Sequence, residues 1–113
     1  EESSDDNHVK VAATLTCGEK ILQISGAGNG LLDAFCDGFS KTIGEEISIT
    51  TYHEHAMQSG SDSAAITYVE IALPNDGKYL GAGISSSVSK SSLRAVVSAV
   101  NRMLQIKESE NDQ

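Results

Sequence analysis

The chain has 113 residues, the size of a single domain. Its 8 Lys and Arg residues stand against 16 Asp and Glu residues, a formal net charge of −8, which argues against nucleic acid as a partner because phosphate binding needs a basic patch. The acids concentrate at the ends, and residues 7–106 carry 9 acids and 7 bases. We therefore predict one folded domain over 8–106, between solvated acidic tails at 1–7 and 107–113.

The sequence contains no signal for membrane insertion, secretion or disulfide bonding. No stretch approaches the ~20 apolar residues of a membrane-spanning helix, and we expect no membrane partner. Cys17 and Cys36 have neither framework spacing nor a CxxC pairing, which favours reduced thiols in a cytosolic protein. The chain opens with Glu1 instead of Met, which indicates a fragment or a processed product.

The first half predicts two strands and a helix. Residues 8–16 alternate between apolar and polar types, and residues 19–25 form a second strand after a turn at Cys17 and Gly18. The glycine run Gly26–Gly30 is expected to be a loop outside regular structure. Asn29 is the expected N-cap of a helix from about Gly30 to Thr42, which Gly44 ends.

The second half predicts three strands and another helix. The strands cover 46–55, 64–73 and 78–84, with turns at Gln58–Ser61 and Pro74–Gly77. The Ser-rich run Ser85–Ser92 leads into a helix over roughly 90–105. The order ββα followed by βββα, joined by tight turns, predicts an α+β fold with helices packed on antiparallel sheet.

The two halves resemble each other. LLDAFCDGF at Leu31–Phe39 matches SLRAVVSAV at Ser92–Val100, 61 residues later. We interpret the chain as two repeats, about 8–44 and 46–106, of a βββα-type unit. The first repeat lacks its leading strand here, and we predict that the counterpart lies upstream in a parent protein.

Two groups of residues are candidate sites on their own chemistry. The glycine run precedes a helix, whose N-terminal N–H groups attract a carboxylate or phosphate, although the same glycines also suit a plain turn and Asp33 would repel an anion. Its spacing does not match a dinucleotide or ATP loop. His53 and His55 share a strand face and could chelate zinc, but no third ligand is evident, so locally satisfied histidines are the simpler interpretation. No catalytic residues are recognisable.

Three stretches together resemble one family. They are ISGAGNGLLDAF at 24–35, TYHEHAMQSGSDSAAITYVE at 51–70 and GAGISSSVSKSSLRAVVSAVNR at 81–102. They are similar to the C-terminal regulatory, allosteric and dimerising domain of 2-isopropylmalate synthase, especially its longer form from actinobacteria and fungi. The resemblance implies a paired βββα fold and a homodimer. It also implies a leucine site that inhibits a separate catalytic TIM barrel, which would hold a divalent metal and acetyl-CoA. None of that barrel lies in this sequence.

The resemblance also implies the leucine-binding residues and a place for them. We predict that the ligand binds where two units or two subunits meet. The resemblance implies that the parent enzyme lies in the cytosol of a bacterium or the mitochondrion of a fungus. The implied effector residues are Gly28, Asn29, Gly30, Leu32, Asp33, Ile49, Tyr52, Ala56 and Ser63. Ile49 and Tyr52 have opposite parity on a regular strand, which a bulge or a site reached from two sides would reconcile.

The sequence departs from the family pattern at several positions. Leu31 stands where Pro is usual after the loop, Asp33 where a small residue is common and Ser63 where Ala is common. Three alternatives to the leucine sensor stay open, and Asp33 and Ser63 favour the second of them. They are an isoleucine-sensing domain of a citramalate synthase, a structural dimerisation module without an effector, and a small metal-binding or hydrolytic domain built on His53 and His55.

Overall fold

A computed structural model describes residues 8–17, 19–59, 62–74 and 77–111. In this part of the chain the element order is β1 (Val9–Cys17), β2 (Lys20–Gly28), α1 (Leu31–Ile43), β3 (Ser48–Ser59), β4 (Asp62–Leu73), β5 (Gly77–Ser85) and α2 (Val88–Asn111). The predicted order and the α+β class are confirmed. No helix of the described residues is long and apolar enough to cross a membrane.

The chain separates into two compact units, one ending at Ser48 and one beginning at Ile49. In the first unit β1 pairs with β2 antiparallel, and α1 packs mainly on β2. In the second unit the strand order is β3-β4-β5, β4 and β5 are antiparallel, and α2 packs on β5 and β4. Each unit is thus one sheet with one helix on it, which is the smallest way to bury an amphipathic helix face.

Each unit has its own apolar core. In the first unit Ile24 of β2 and Phe35 and Phe39 of α1 are buried. In the second unit Val69 and Ile71 of β4 lie in the core with residues of α2. In each unit the apolar core therefore lies between the sheet and its own helix.

The predicted boundaries need three corrections. β2 continues through Gly26-Ala27-Gly28, so the first part of the glycine run is strand and not loop. β3 covers Ser48–Ser59 instead of 46–55. α2 runs to Asn111, so the C-terminal acidic stretch, predicted as a solvated tail from 107, is helical for most of its length.

Some predictions fall outside the described residues. They concern the tail at 1–7 and the turn residues Gly18, Gly60, Ser61, Asn75 and Asp76. At the other end of the first unit the predicted stop of α1 is confirmed. Gly44 has φ 85°, and its N–H donates to the carbonyl of Ser40, an arrangement that favours glycine because a Cβ is strained there.

Candidate functional site

The segment between β2 and α1, Gly28–Asp33, contains five of the predicted effector residues; we call it the glycine corner. The helix begins at Leu31, and Gly30 is its N-cap with an extended backbone and no side-chain cap. The prediction of Asn29 as N-cap is therefore wrong. Instead the carboxylate of Asp33 accepts a 2.9 Å hydrogen bond from the backbone N–H of Asn29, much as the third helical residue reaches back in a capping box.

Two glycines of the corner have different surroundings. A Cβ on Gly28 would lie 2.8 Å from the Cγ of Asp33 and 3.0 Å from the backbone nitrogen of Ala34. Gly28 thus leaves room for the Asp33 carboxylate to fold back. A Cβ on Gly30 would meet no atom within 4 Å, so the side of Gly30 to which a side chain would point is open.

Gly30 stands at the start of α1. The first N–H groups of a helix have no partner within the helix, and Gly30 provides no side chain for them. They carry the positive end of the helix dipole and can bind an anionic group. Leu32 lies in the first turn and is half-buried, while Asp33 is exposed.

The other four predicted residues, Ile49, Tyr52, Ala56 and Ser63, belong to the second unit. The Tyr52 hydroxyl donates to the Glu54 carboxylate at 2.9 Å and lies 3.4 Å from the hydroxyl of Ser92 on α2. Tyr52 is therefore held on the helix side of the sheet. Glu54 and Ser92 were not among the predicted residues, and only the tertiary contact reveals them.

On a strictly alternating strand Ile49 would lie on the other face of β3 from Tyr52. The alternation is not strict between them, because the adjacent Thr50 and Thr51 hydroxyls both donate to the same oxygen of the Glu70 carboxylate, at 2.8 and 3.5 Å. His55, which shares the parity of Ile49, packs edge-on against Tyr68, and Tyr68 is exposed while its neighbours Thr67 and Val69 are buried. Ala56 has the parity of Tyr52 on β3, and Ser63 on β4 has the parity of the buried Thr67 and Val69; both residues are exposed.

In each unit two glycines of the strand before the helix let the helix pack close to the sheet. The sequence repeat described above did not include these glycines. Gly26-Ala27-Gly28 of β2 and Gly81-Ala82-Gly83 of β5 have the same three letters, 55 residues apart. A Cβ on Gly26 would lie 2.8 Å from the Cα of Gly38, and one on Gly81 would lie 2.9 Å from the Cα of Ala99. Gly38 and Ala99 correspond in the helix repeat. The repeated GAG was the available signal for this close approach.

Two groups beside the glycine corner have shifted pKa values. The backbone N–H of Ala27 and the ammonium of Lys41 lower the pKa of the Asp37 carboxyl. Burial raises the pKa of the Cys36 thiol to about 11, and the nearby Asp33 carboxylate adds to this shift. Cys36 is thus an uncharged core thiol.

His53 and His55 are both exposed. Among the residues that the structure describes, no group of three His, Cys, Asp or Glu side chains is placed to hold a metal ion.

The geometry defines a repeated α+β domain in which a glycine-bearing strand leads into each helix. The family model of the LeuA allosteric (dimerisation) domain matches residues 1–104. The chain belongs to this family, which confirms the resemblance in the three sequence stretches.

The relatives are longer proteins of one name. The 2-isopropylmalate synthase of Rhizobium johnstonii is 46% identical over 97 residues, which cover 86% of this chain and 17% of the relative. That of Mycobacterium leprae is 41% identical over 100 residues, 88% of this chain and 16% of the relative. This chain therefore spans about a sixth of the length of the relatives it matches.

Proposed function

We propose that this chain is the leucine-binding, feedback-inhibiting and dimerising part of a 2-isopropylmalate synthase, and that the glycine corner holds the amino-acid head of the effector. The names of the relatives and the family support the parent enzyme. The catalytic barrel, its divalent metal and its acetyl-CoA site belong to the remainder of that parent, in the cytosol or, in a fungus, the mitochondrion.

The observation that carries the proposal is the difference between the two helix starts. α2 begins at Val88, four residues before Ser92, which matches Leu31 at the start of α1. The carbonyls of Gly30 and Ser87 make the same first bond in the two helices, each accepting an N–H at 2.9 Å. The two starts differ in the side-chain cap, because the Ser87 hydroxyl accepts the N–H of Lys90 at 3.4 Å, whereas α1 has no side-chain cap and begins four residues later in the repeat. The start of α1 therefore has one more N–H group available to a ligand than the start of α2.

The charges of the corner fit a free amino acid better than a simple anion. A carboxylate suits the first-turn N–H groups of α1. Asp33 would repel a plain anion, but an α-amino acid also carries an ammonium group, which an exposed carboxylate attracts. One oxygen of Asp33 accepts from Asn29, and the other can face the ammonium. Asp33 is therefore compatible with a zwitterionic ligand.

The side chain of the ligand would lie against apolar groups, of which Leu32 belongs to the corner itself. Ile49, Tyr52, Ala56 and Ser63 keep their assignment from the resemblance and are to be tested one at a time. Inhibition further requires that leucine bind two states of the parent dimer with different affinity. The linker to the barrel would carry that difference to the catalytic site.

The first test is thermal melting with leucine and its analogues. A ligand at ~100 times its dissociation constant adds roughly 2.7 kcal/mol, which raises the midpoint by on the order of ten degrees for a domain of this size. We expect a rise with leucine but not with leucinamide or 4-methylpentanoate, each of which lacks one of the two charges. A rise with isoleucine alone would support the citramalate synthase alternative. No rise from a folded dimer would support the structural module.

The second test changes one atom type at the corner. Asp33→Asn keeps an acceptor for the N–H of Asn29 but removes the charge that would hold the ammonium. We expect it to reduce the leucine-induced rise while the ligand-free midpoint changes little. Glu46→Gln, at another exposed acid, is the matched control and should keep the full rise. A full rise in Asp33→Asn would contradict the assignment of the corner.

A further inference from the structure

The charges of the chain are segregated along its sequence. Residues 77–107, which form β5 and most of α2, contain five Lys and Arg residues and no Asp or Glu. Residues 108–113 contain three acids and no base. The exposed face of a surface helix commonly carries both signs, paired three or four residues apart. In α2 the two signs are instead separated, and a long basic part is followed by an acidic end.

The two arginines of the chain, Arg94 and Arg102, lie on the basic part of α2, and neither has an acid within four residues in the sequence. Both side chains are exposed, and neither makes an ion pair with any of the residues that the structure describes. The helix of the first unit differs, because its Lys41 pairs with Asp37 four residues earlier at 3.1 Å. The arginines of α2 are therefore available to carboxylates from outside the described part of the chain.

The arginines line a groove along α2, which we call the α2 groove. It has a volume of about 470 Å³, and its lining residues are Arg94, Val97, Ser98, Asn101, Arg102 and Gln105. The Nη1 of Arg94 donates a 2.6 Å hydrogen bond to the carbonyl of Ile84, which orients the guanidinium. A guanidinium has five N–H donors in a planar fork that matches a carboxylate. The groove thus offers an oriented cationic donor beside the amides of Asn101 and Gln105.

The same helix contains an acid whose position matches the groove. Arg94, Asn101 and the exposed Glu108 follow one another at intervals of seven residues. Because seven residues make almost two turns of an α-helix, the three side chains lie nearly on one line along α2. Asn101 stands midway, about 10 Å along the helix axis from each of the other two residues. A line with an arginine at one end and a glutamate at the other is self-complementary when a second copy of the helix runs antiparallel to the first.

We infer that the α2 groove binds α2 of a second copy of this chain, in an antiparallel pair about a twofold axis that passes beside Asn101. The inference rests on the dimerising part of the proposed function and assigns a surface to it. In a twofold contact every pair of facing residues occurs twice. Arg94 of each copy therefore faces Glu108 of the other copy. The two Asn101 side chains face each other at the axis, where an amide can both donate and accept a hydrogen bond.

The acidic end of α2 favours a second copy over an unrelated acidic protein as the occupant of the groove. A uniformly acidic partner laid along α2 would be attracted to the arginines but repelled by residues 108–113. An antiparallel copy places its own acidic end beside the arginines and its arginines beside the acidic end. Two chains of net charge −8 repel each other overall. The self-complementary line on α2 offsets that repulsion at one defined place.

The test is sedimentation of the 113-residue chain over a series of concentrations, with charges exchanged along this line. Arg94→Glu and Glu108→Arg each place like charges opposite one another in the antiparallel pair. The double variant Arg94→Glu/Glu108→Arg restores opposite charges and keeps the net charge of the unchanged chain. Lys10→Glu and Glu46→Arg are matched controls, because they make the same two changes in net charge at exposed residues of the first unit.

Circular dichroism verifies that each variant is folded. Arg94→Glu loses the hydrogen bond to the carbonyl of Ile84, which could unfold it. Glu108 is exposed near the end of α2, so Glu108→Arg tests the pairing even in that case.

We expect each single exchange to raise the dimer dissociation constant by about tenfold or more, because two like-charge contacts replace two attractive ones. The double variant should dimerise nearly as the unchanged chain does, and so should both controls. Arg94→Glu makes the chain more acidic and Glu108→Arg makes it less acidic, so a loss in both variants cannot come from overall repulsion.

Equal dimerisation of all variants would overturn the placement of the second copy on α2 and leave the dimerising function standing. A double variant as weak as the single ones would overturn the antiparallel pairing in the same way. An unchanged chain that stays monomeric would overturn both the placement and the dimerising function. The leucine-induced rise in midpoint, measured separately on Glu108→Arg, reports on the effector site independently of the α2 groove.

Discussion

The backbone N–H of Ala27, in the middle of the GAG of β2, donates a 2.9 Å hydrogen bond to the carboxylate of Asp37 on α1. The second unit repeats the contact with different chemistry, since the N–H of Ala82 donates to the hydroxyl of Ser98 at 3.4 Å. Ala27 matches Ala82 in the strand repeat, and Asp37 matches Ser98 in the helix repeat. In both units a helix side chain thus accepts the hydrogen bond of a strand N–H that would otherwise be free to pair with another strand.

The Asp37 contact predicts a pH-dependent stability. Its folded pKa is lowered from 3.8 by the Ala27 N–H and by Lys41, so the stabilisation is present above the unfolded pKa and is lost as the pH falls through the folded pKa. Asp37→Ala should therefore melt below the unchanged chain at pH 7, and the difference should shrink in acid. Thermal melts from neutral pH down to pH ~3 measure it.

Ser98→Ala is the control for Asp37, because it removes the matching contact without removing a charge. Any loss of stability it causes should be the same at every pH in that range. A pH-independent deficit for Asp37→Ala would contradict the ionic origin of its contribution.

The close approach of strand and helix predicts the effect of a single methyl group. Gly26→Ala and Gly81→Ala should each lower the free energy of unfolding by at least about 1 kcal/mol. The new Cβ would overlap backbone atoms of the helix, which can move away only if the helix shifts as a whole. Denaturant titration measures this loss. Gly30→Ala, in open space, makes no such contact and should lose less, at most about 1 kcal/mol, because alanine is only a poorer N-cap than glycine.

Capping α1 should oppose ligand binding. Gly30→Ser supplies the side-chain cap that α1 lacks, so the ligand-free protein should gain a few tenths of a kcal/mol. The new hydroxyl competes with the effector carboxylate for the same N–H groups, and the leucine-induced rise in midpoint should fall. Melting with and without leucine measures both effects; an increase in both would contradict the placement of the carboxylate.

Cys36 should be unreactive in the folded state. Its pKa of about 11 keeps the buried thiol protonated near neutral pH. In a Cys17→Ser background, where Cys36 is the remaining cysteine, a thiol reagent at pH 8 should label it only after denaturation. The folded pKa lies above the ordinary value of 9.0. The contribution of Cys36 to the free energy of unfolding is therefore fully present below pH 9 and declines as the pH rises toward the folded pKa. Rapid labelling of the folded chain would contradict this.

Local patterns in the sequence were sufficient for the order of elements. Alternation predicted the strands, and apolar spacing followed by Gly44 predicted α1 and its end. These signals operate over a few residues and depend little on what packs against them. The resemblance to the family came from motif order over most of the chain and is confirmed by the family model. The leucine-binding assignment stays a prediction.

Only the tertiary structure decided which conformation some of these local signals produce. The glycine run looked like a loop, but Gly26 and Gly28 complete β2, because a helix lies directly on them and leaves no room for a Cβ. Close approach also selects small residues on α2, where Ala95 and Ala99 are fully buried while the larger Leu93 is only half-buried. Whether a small residue marks a turn or a close contact depends on the backbone that packs against it, and that information is not local to the sequence.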